Sequence, residues 1–318
     1  MHPAPTLPLV IDELRTECDG IVCVELVAAD GTDLPAWDPG AHIEVHLGNG
    51  LSRQYSICSD PADPGHYTIA VLLDPHSRGG SRYIHDTFAK GDHLSTSLPR
   101  NNFPFTDAPQ YLFVAGVIGI TPLIPMMVTA QRRHRPYRLV YAGRDRSRMA
   151  FSGLLSHDPS VQLLVSGEGS RLDVAGLLDD DTHAAAEIFA CGPPRLLDEL
   201  TDHCRRADRQ RHLHIERFVG TAVDLDADKE RAFEVELARS GAVVTVGADQ
   251  SILDALLAQG IKAPNSCAEG VCGSCETTIV EGTVDHRDQI LDDDEKEENE
   301  VMMICCSRAT SDRLVLDL

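Results

Sequence analysis

The chain has 318 residues, of which 42% are apolar and 25% charged. That is room for two to three domains at roughly 100–200 residues each, in an ordinary globular composition that excludes collagen, coiled coil and wholesale disorder. Twenty-eight Lys and Arg stand against 50 Asp and Glu, a net charge of −22, so nucleic acid and anionic membranes would be repelled and a basic protein attracted.

The N-terminus, MHPAPTLPLVIDELRTECDG, has no basic stretch leading into an apolar one, so no signal peptide and a cytoplasmic location are expected. Residues 1–105 read as an antiparallel β-barrel. Short segments such as IVCVELVAAD, AHIEVHLG, RQYSICSD and HYTIAVLLD are separated by Pro, Gly, Asp and Asn turns. One helix interrupts them at SRYIHDTFAKGD, with Ile84 and Phe88 four apart and Gly91 ending the run. Trp37 is read as barrel packing.

Residues 106–218 change character. YLFVAG, RLVYAG, VQLLVSG and AEIFACG are apolar strands ending in Gly, separated by helical stretches such as PLIPMMVTAQRRH and PRLLDELTDHCRRAD. This alternation predicts an α/β doubly wound parallel sheet that binds ligands at the carboxyl ends of its strands. The uncharged run at 111–128 has the length of a membrane span. Gly116, Gly119, Pro122 and Pro125 interrupt it, so a strand, a tight turn and a helix start are expected instead. Residues 219–232 are polar and read as a linker. From Phe233 to Leu318 a third, α+β unit follows, with a hairpin around Ser240–Gly241 and a short helix, SILDALLAQG, closed by Gly260. It holds 18 Asp and Glu against 6 Lys and Arg, a net −12.

Ten cysteines in a cytoplasmic chain point to metal or redox chemistry rather than disulfides. Cys267, Cys272 and Cys275 form C-x4-C-x2-C, and Cys305 follows after 29 intervening residues. This is the ligand spacing of a plant-type [2Fe–2S] centre. Two irons need four thiolates, three of them from one loop, and Gly270 and Gly273 allow that loop to wrap closely. A four-Cys zinc site favours two separated short pairs instead. Spacing alone does not choose between Cys305 and the adjacent Cys306. Cys18, Cys23, Cys58 and Cys204 show no pairing pattern and read as small buried hydrophobes.

CAEGVCGSC, DHRDQIL and ICCSRATSDRLVLDL together are similar to the C-terminal ferredoxin (β-grasp) domain of the phthalate dioxygenase reductase family, which includes the vanillate demethylase reductases. The resemblance covers essentially the whole chain. It implies a flavin barrel, a nicotinamide domain and a ferredoxin domain in that order, with Cys305 as the fourth ligand.

The segment Arg53-Gln54-Tyr55-Ser56 fits the R-x-Y-S motif of the wider superfamily. An Arg fork suits a flavin phosphate. Tyr55 would wall a flat ring, and Ser56 would place a hydroxyl near its reactive nitrogen. Gly79, Gly80 and Ser81 add backbone donors and a hydroxyl for phosphate. The resemblance lays Ala70, Val71 and Leu72 along the flavin, sets Phe218 near its ring and implies FMN.

Ala115 to Pro122 joins a strand to a helix. Thr121 is a plausible N-cap and Pro122 a first helical residue, opening N–H groups toward a pyrophosphate. The segment lacks the G-x-G-x-x-G fingerprint but resembles the family's GGIGITP, through Gly116, Gly119 and Thr121. Val117 stands where many relatives carry Gly, a departure expected to matter little. Cys191-Gly192-Pro193 matches the family's CGP segment near the nicotinamide. Arg144 could meet ribose or phosphate. Family habit implies NADH, although Arg144, Arg146 and Arg148 leave room for a 2′-phosphate.

These parts make a reductase that exports electrons. A flavin between a two-electron donor and a one-electron cluster couples the two. The chain has no C-x-H sequence for a Rieske centre of its own. The resemblance puts that centre in a separate aromatic-ring or demethylating oxygenase, which the acidic third unit could steer by charge. Ser56, Thr121 and Cys191 are the candidate catalytic residues. The alternatives are a reductase for a diiron or carnitine-type monooxygenase, and a non-enzymatic iron–sulfur redox sensor or electron carrier.

Overall fold

A computed structural model of the chain describes residues 5–75, 79–220 and 231–318. Most of the expected linker, 221–230, lies outside the described residues, as do 76–78 just before Gly79. The chain divides into two compact units, 1–218 and 219–318.

The first unit opens with seven strands, β1 (Thr6–Cys18), β2 (Ile21–Ala28), β3 (Ala41–His46), β4 (Ser52–Ser56), β5 (Tyr67–Leu72), β6 (His93–Ser97) and β7 (Arg100–Asn101). They run β4-β3-β6-β1-β2-β5, with β7 on β3. An Ile57–Ile69 bridge ties the end of β4 to β5 and closes the barrel. Ile11, Ile43, Val45 and Ile69 alternate inward to its core, and Trp37 packs there edge-on to Tyr67. The barrel's helix, α1 (Gly80–Thr87), is shorter than the sequence suggests. Phe88 already has extended backbone, although its ring stays buried.

A parallel sheet follows in the same unit, made of β8 (Tyr111–Gly116), β9 (Tyr137–Gly143), β10 (Val161–Val165), β11 (Glu187–Cys191) and β12 (Leu213–Glu216). Its order is β10-β9-β8-β11-β12, so the chain reverses direction across the sheet beside β8, where such sheets bind ligands. The helices are α2 (Leu123–Arg132), α3 (Ser152–Leu155), α4 (Val174–Leu178) and α5 (Pro194–Arg206). On α5, Leu197, Leu200 and Cys204 are buried, and Leu196 is half-buried. The run at 111–128 becomes β8, a 3-10 turn and the start of α2. Among the described residues no helix is long and apolar enough to cross a membrane. Barrel and sheet share one core, in which Ile21, Cys58 and Ala70 meet Phe113, Ile120 and Met126. They therefore pack as one unit rather than as two separable ones.

The second unit contains β13 (Phe233–Leu237), β14 (Val243–Val246), α6 (Ile252–Ala258), β15 (Glu276–Glu281), β16 (Val284–Asp285), α7 (Asp293–Glu298), β17 (Val301–Met303), β18 (Arg308–Ala309) and β19 (Arg313–Leu316). The mixed sheet β14-β13-β19-β15-β17 packs its apolar face on α6. Ser251 caps α6 by accepting from the Asp254 N–H at 3.0 Å, and Gly260 (φ +73) closes it. The acidic run forms α7, started by a capping box between Asp292 and Glu295.

Candidate functional site

Strand β4 carries the R-x-Y-S segment. A Cβ placed on Gly80 would stand 2.7 Å from Arg53 Cγ and Nε, so the Arg53 side chain lies against the first residue of α1. Gly79 reaches this position with φ +92, which favours glycine. A guanidinium beside a helix start is a cradle that fits a phosphate. Ser81 is buried and its Oγ accepts the Asp74 N–H at 3.3 Å, leaving its own proton to donate. Burial holds the Tyr55 phenol far above its ordinary range, and the ring packs on the barrel core. Val71 also points into that core, whereas Ala70 and Leu72 face the core shared with the parallel sheet. The His85 Nε2 lies 2.9 Å from the Val71 carbonyl. A flavin running along β5 would therefore meet Ala70, Leu72 and backbone rather than the Val71 side chain.

The turns after β8 and β11 close on each other. A Cβ on Gly119 would collide with the Cys191 carbonyl, one on Gly116 would stand 2.5 Å from Pro193 Cδ, and one on Gly192 would stand 2.9 Å from the Gly116 nitrogen. These glycines let two backbone turns meet where a dinucleotide would cross. Thr121 departs from its expected role. It has helical dihedrals, its Oγ1 donates back to the Ile118 carbonyl at 3.0 Å, and α2 begins only at Leu123 after Pro122. The cause is a 3-10 turn over Val117–Ile120, which takes the place of a capped helix start. Val117 also corrects the sequence reading. Its φ of +51 lies in the left-handed region, which is sterically costly for a β-branched residue. That is a physical reason for the glycine that the GGIGITP resemblance would set at this position.

Arg144 is exposed just beyond β9. The Arg146 fork is engaged by Glu168 at 3.1 and 2.8 Å, so of the three arginines this one is already paired with a carboxylate. Phe218 lies two residues beyond β12 and is 37% exposed.

Ser56, Cys191 and one residue that the sequence reading passed over come together. The Ser56 hydroxyl donates to Glu216 Oε2 at 3.4 Å. Glu216 and Cys191 are register partners at the ends of β12 and β11. Burial pushes the Glu216 carboxyl up to about 8, against the opposing hydrogen bond from Ser56. Burial, and then the Glu216 carboxylate, push the Cys191 thiol well above its ordinary range. Perturbed groups in a cleft are a mark of a working site. The signal for Glu216 was a lone carboxylate at the carboxyl end of a parallel strand, within the HIERF segment quoted for Phe218.

In the second unit the cysteine loop turns through three left-handed residues, Ala268 (φ +55), Gly270 (φ +72) and Gly273 (φ +71). Its amides turn toward sulfur. The Cys267 N–H lies 3.4 Å from Cys272 Sγ, and the Glu269 N–H lies 3.3 Å from Cys267 Sγ. Cys267 lies beside Cys272 and Cys275 beside Cys305. Among the described residues no three metal-binding side chains gather as around a single ion. Two thiol pairs with amides aimed at sulfur suit a two-iron cluster. Cys306 lies against Cys305 as well, with its Sγ 3.7 Å from the Met303 carbonyl and close to Gly270, whose Cβ would stand 2.6 Å from that Sγ. None of the ten cysteines forms a disulfide.

Residues 235–310 match the family model described as a 2Fe-2S iron-sulfur cluster binding domain. The vanillate O-demethylase oxidoreductase of Acinetobacter baylyi (strain ATCC 33305 / BD413 / ADP1) is 37% identical, over 98% of this chain and 99% of its own. The crystal structure of an intact type IV self-sufficient cytochrome P450 monooxygenase is 42% identical with a TM-score of 0.86. The match covers 98% of this chain and 41% of that one, so the present chain spans about two fifths of it. The structure of phthalate dioxygenase reductase is 35% identical with a TM-score of 0.75, covering 98% of both chains. Fold and site define a pyridine-nucleotide-dependent oxidoreductase that carries a flavin and a [2Fe–2S] cluster. Its acceptor class follows from its relatives, which are reductase components of oxygenase systems. The chain belongs to the phthalate dioxygenase reductase family.

Proposed function

We propose that this chain is the NADH-dependent, FMN-containing reductase of a Rieske-type oxygenase system, acting in the cytoplasm on a separate aromatic-ring dioxygenase or O-demethylase. The observation that carries the reading is the meeting of Ser56, from the flavin-type strand, with Glu216 and Cys191, from the carboxyl ends of the parallel sheet. Hydride transfer needs two flat rings in contact, and this is where a barrel-bound ring and a sheet-bound ring would face each other. When bound, the flavin takes an electron pair from NADH and releases it singly to the cluster.

The residues divide the work over modules at 1–105, 106–218 and 233–318. Arg53, Gly79, Gly80 and Ser81 hold the flavin phosphate, while Gln54, Tyr55, Ala70 and Leu72 bound the ring, with Phe218 at its edge. Gly116, Gly119, Thr121, Gly192 and Pro193 shape the dinucleotide crossing, Arg144 serves its outer end, and Cys191 closes the pocket floor. Cys267, Cys272, Cys275 and Cys305 hold the cluster. The second unit's acidic surface, including α7, steers a basic oxygenase. That steering would weaken as salt rises.

Mass analysis of the released flavin, with NADH and NADPH turnover compared, tests the cofactor assignments. FMN and a preference for NADH are expected; FAD or a preference for NADPH overturns them. In Cys272→Ser, NADH should still bleach the flavin while cytochrome c reduction is lost. Loss of bleaching as well would count against separate sites.

A further inference from the structure

The parallel sheet runs β10-β9-β8-β11-β12. A dinucleotide whose pyrophosphate crosses at the turn after β8 sends its nicotinamide toward β11, where Cys191, Glu216 and Ser56 stand. Its adenosine then lies over the carboxyl ends of β9 and β10. Neighbouring strands are roughly 4.8 Å apart, so β10 is about 10 Å from the crossing, within reach of a nucleoside. The turns after β9 and β10 thus form the rim that meets the adenosine ribose. NADH and NADPH differ only there, by a phosphate on the 2′-hydroxyl.

The two turns are joined. The Gly167 N–H donates to the Arg144 carbonyl at 2.9 Å. A Cβ on Gly167 would stand 2.7 Å from that oxygen, so the junction needs a glycine. It brings the next residue, Glu168, against Arg146. Arg146 Nε donates to Glu168 Oε1 at 3.1 Å and Nη2 donates to Oε2 at 2.8 Å, a two-pronged grip on a carboxylate.

The three arginines of this segment are not equivalent. Arg148 reaches toward the barrel, where a Cβ on Gly20 would stand 3.7 Å from its Nη2. Beside it the Asp19 N–H donates to the Ser147 carbonyl at 2.8 Å. That leaves Arg144 and Arg146 on the rim, and Arg146 is the one whose fork is filled. The side chains of Arg146 and Glu168 are 50% and 52% exposed. An ion pair this open adds little to stability, so the fold does not depend on it and a ligand can reach it.

The pair treats the two coenzymes differently. An ionised carboxylate accepts at about four lone-pair sites, and Arg146 uses one on each oxygen. The others can accept the 2′- and 3′-hydroxyls of a ribose. A phosphate monoester carries a charge of about −1.5 to −2 near neutral pH. On the 2′-oxygen it would meet Glu168 as a like charge and find the Arg146 fork occupied, and repulsion of this kind is how a site rejects a near-identical ligand.

We propose that Glu168 selects the coenzyme: it accepts the ribose hydroxyls of NADH and withholds the Arg146 fork from the 2′-phosphate of NADPH. This rests on reading the sheet as the dinucleotide site, and it adds the residue that sets the site's preference.

The test is calorimetric binding to the oxidised, flavin- and cluster-loaded protein, which turns over neither probe. The probes are adenosine 5′-monophosphate and adenosine 2′,5′-bisphosphate, which differ only in the 2′-phosphate. In Glu168→Gln the bisphosphate should bind about fivefold more tightly or better, the scale of one unit charge removed a few ångströms away in water. The monophosphate should bind no more tightly than before. Adding Arg146→Ala to Glu168→Gln should abolish the gain, because the freed fork is then absent. A smaller gain, an equal gain for both probes, or a gain that survives without Arg146 overturns the selector while leaving the site in place. A monophosphate that fails to bind wild type, or that NAD+ does not displace, overturns the dinucleotide reading and the selector with it.

Discussion

Replacing Glu216 by Gln removes the carboxyl that takes the Ser56 hydrogen bond while keeping its shape. The unfolded chain ionises this group near its ordinary 4.5, whereas in the fold burial raises it to about 8. Between those values the folded protein holds a proton that the unfolded chain has lost. Stability is therefore full below about pH 4.5, falls as pH rises through the window, and levels off above about 8. At 1.36 kcal/mol per pH unit the whole displacement corresponds to about 5 kcal/mol. Glu216 keeps partial contact with solvent, which screens the charge, so about half of that, ~2–3 kcal/mol, is expected. The assay is the thermal midpoint of the 1–218 unit in wild type and Glu216→Gln from pH 5 to 9, with an infrared titration of the protonated carboxyl. Wild type should lose stability relative to the variant as pH rises, and a carboxyl band should disappear near pH 8. Parallel midpoints across the range, or a band lost below pH 5, would refute the buried, protonated carboxyl.

Four other substitutions probe the remaining parts. Arg53→Ala removes the fork beside Gly80 and should weaken FMN binding about 10- to 100-fold, the scale of charge-assisted hydrogen bonds worth ~1.5–3 kcal/mol. Flavin titration of the stripped protein reads it, and full retention would sink the phosphate role. Cys305→Ala should abolish the visible and paramagnetic signature of the cluster, whereas Cys306→Ala should keep it; the reverse result would exchange the two assignments. Val117→Gly relieves left-handed strain of about 1–2 kcal/mol and adds about 0.4–1 kcal/mol of unfolded-chain entropy. The melting temperature should hold or rise, and a clear fall would mean that the valine's packing outweighs its strain.

The carboxyl-end glycines of the parallel strands, the C-x4-C-x2-C spacing and the alternation of the barrel strands are local patterns. Each is set by a few neighbouring residues and could be read directly. Thr121 shows where that reading stops. Ser/Thr followed by Pro is a good helix start, yet the 3-10 turn imposed on 117–120 moved the start to Leu123. Val117 looked like a harmless exchange because a sequence does not display φ.

The sequence by itself determined the order of barrel strands, parallel sheet and cysteine-bearing unit, the C-x4-C-x2-C spacing and the strand that carries Arg53 and Ser56, because each is a short-range signal. Only the tertiary structure decided how Glu216 and Ser56, 160 residues apart, share a hydrogen bond. It likewise decided that Cys305 meets both Cys275 and Cys306. Such neighbours are set by sheet register and by the burial that two packed layers impose. Burial also shifts the titration of Glu216 and Cys191, so the chemistry these ordinary residues can do was decided by the fold.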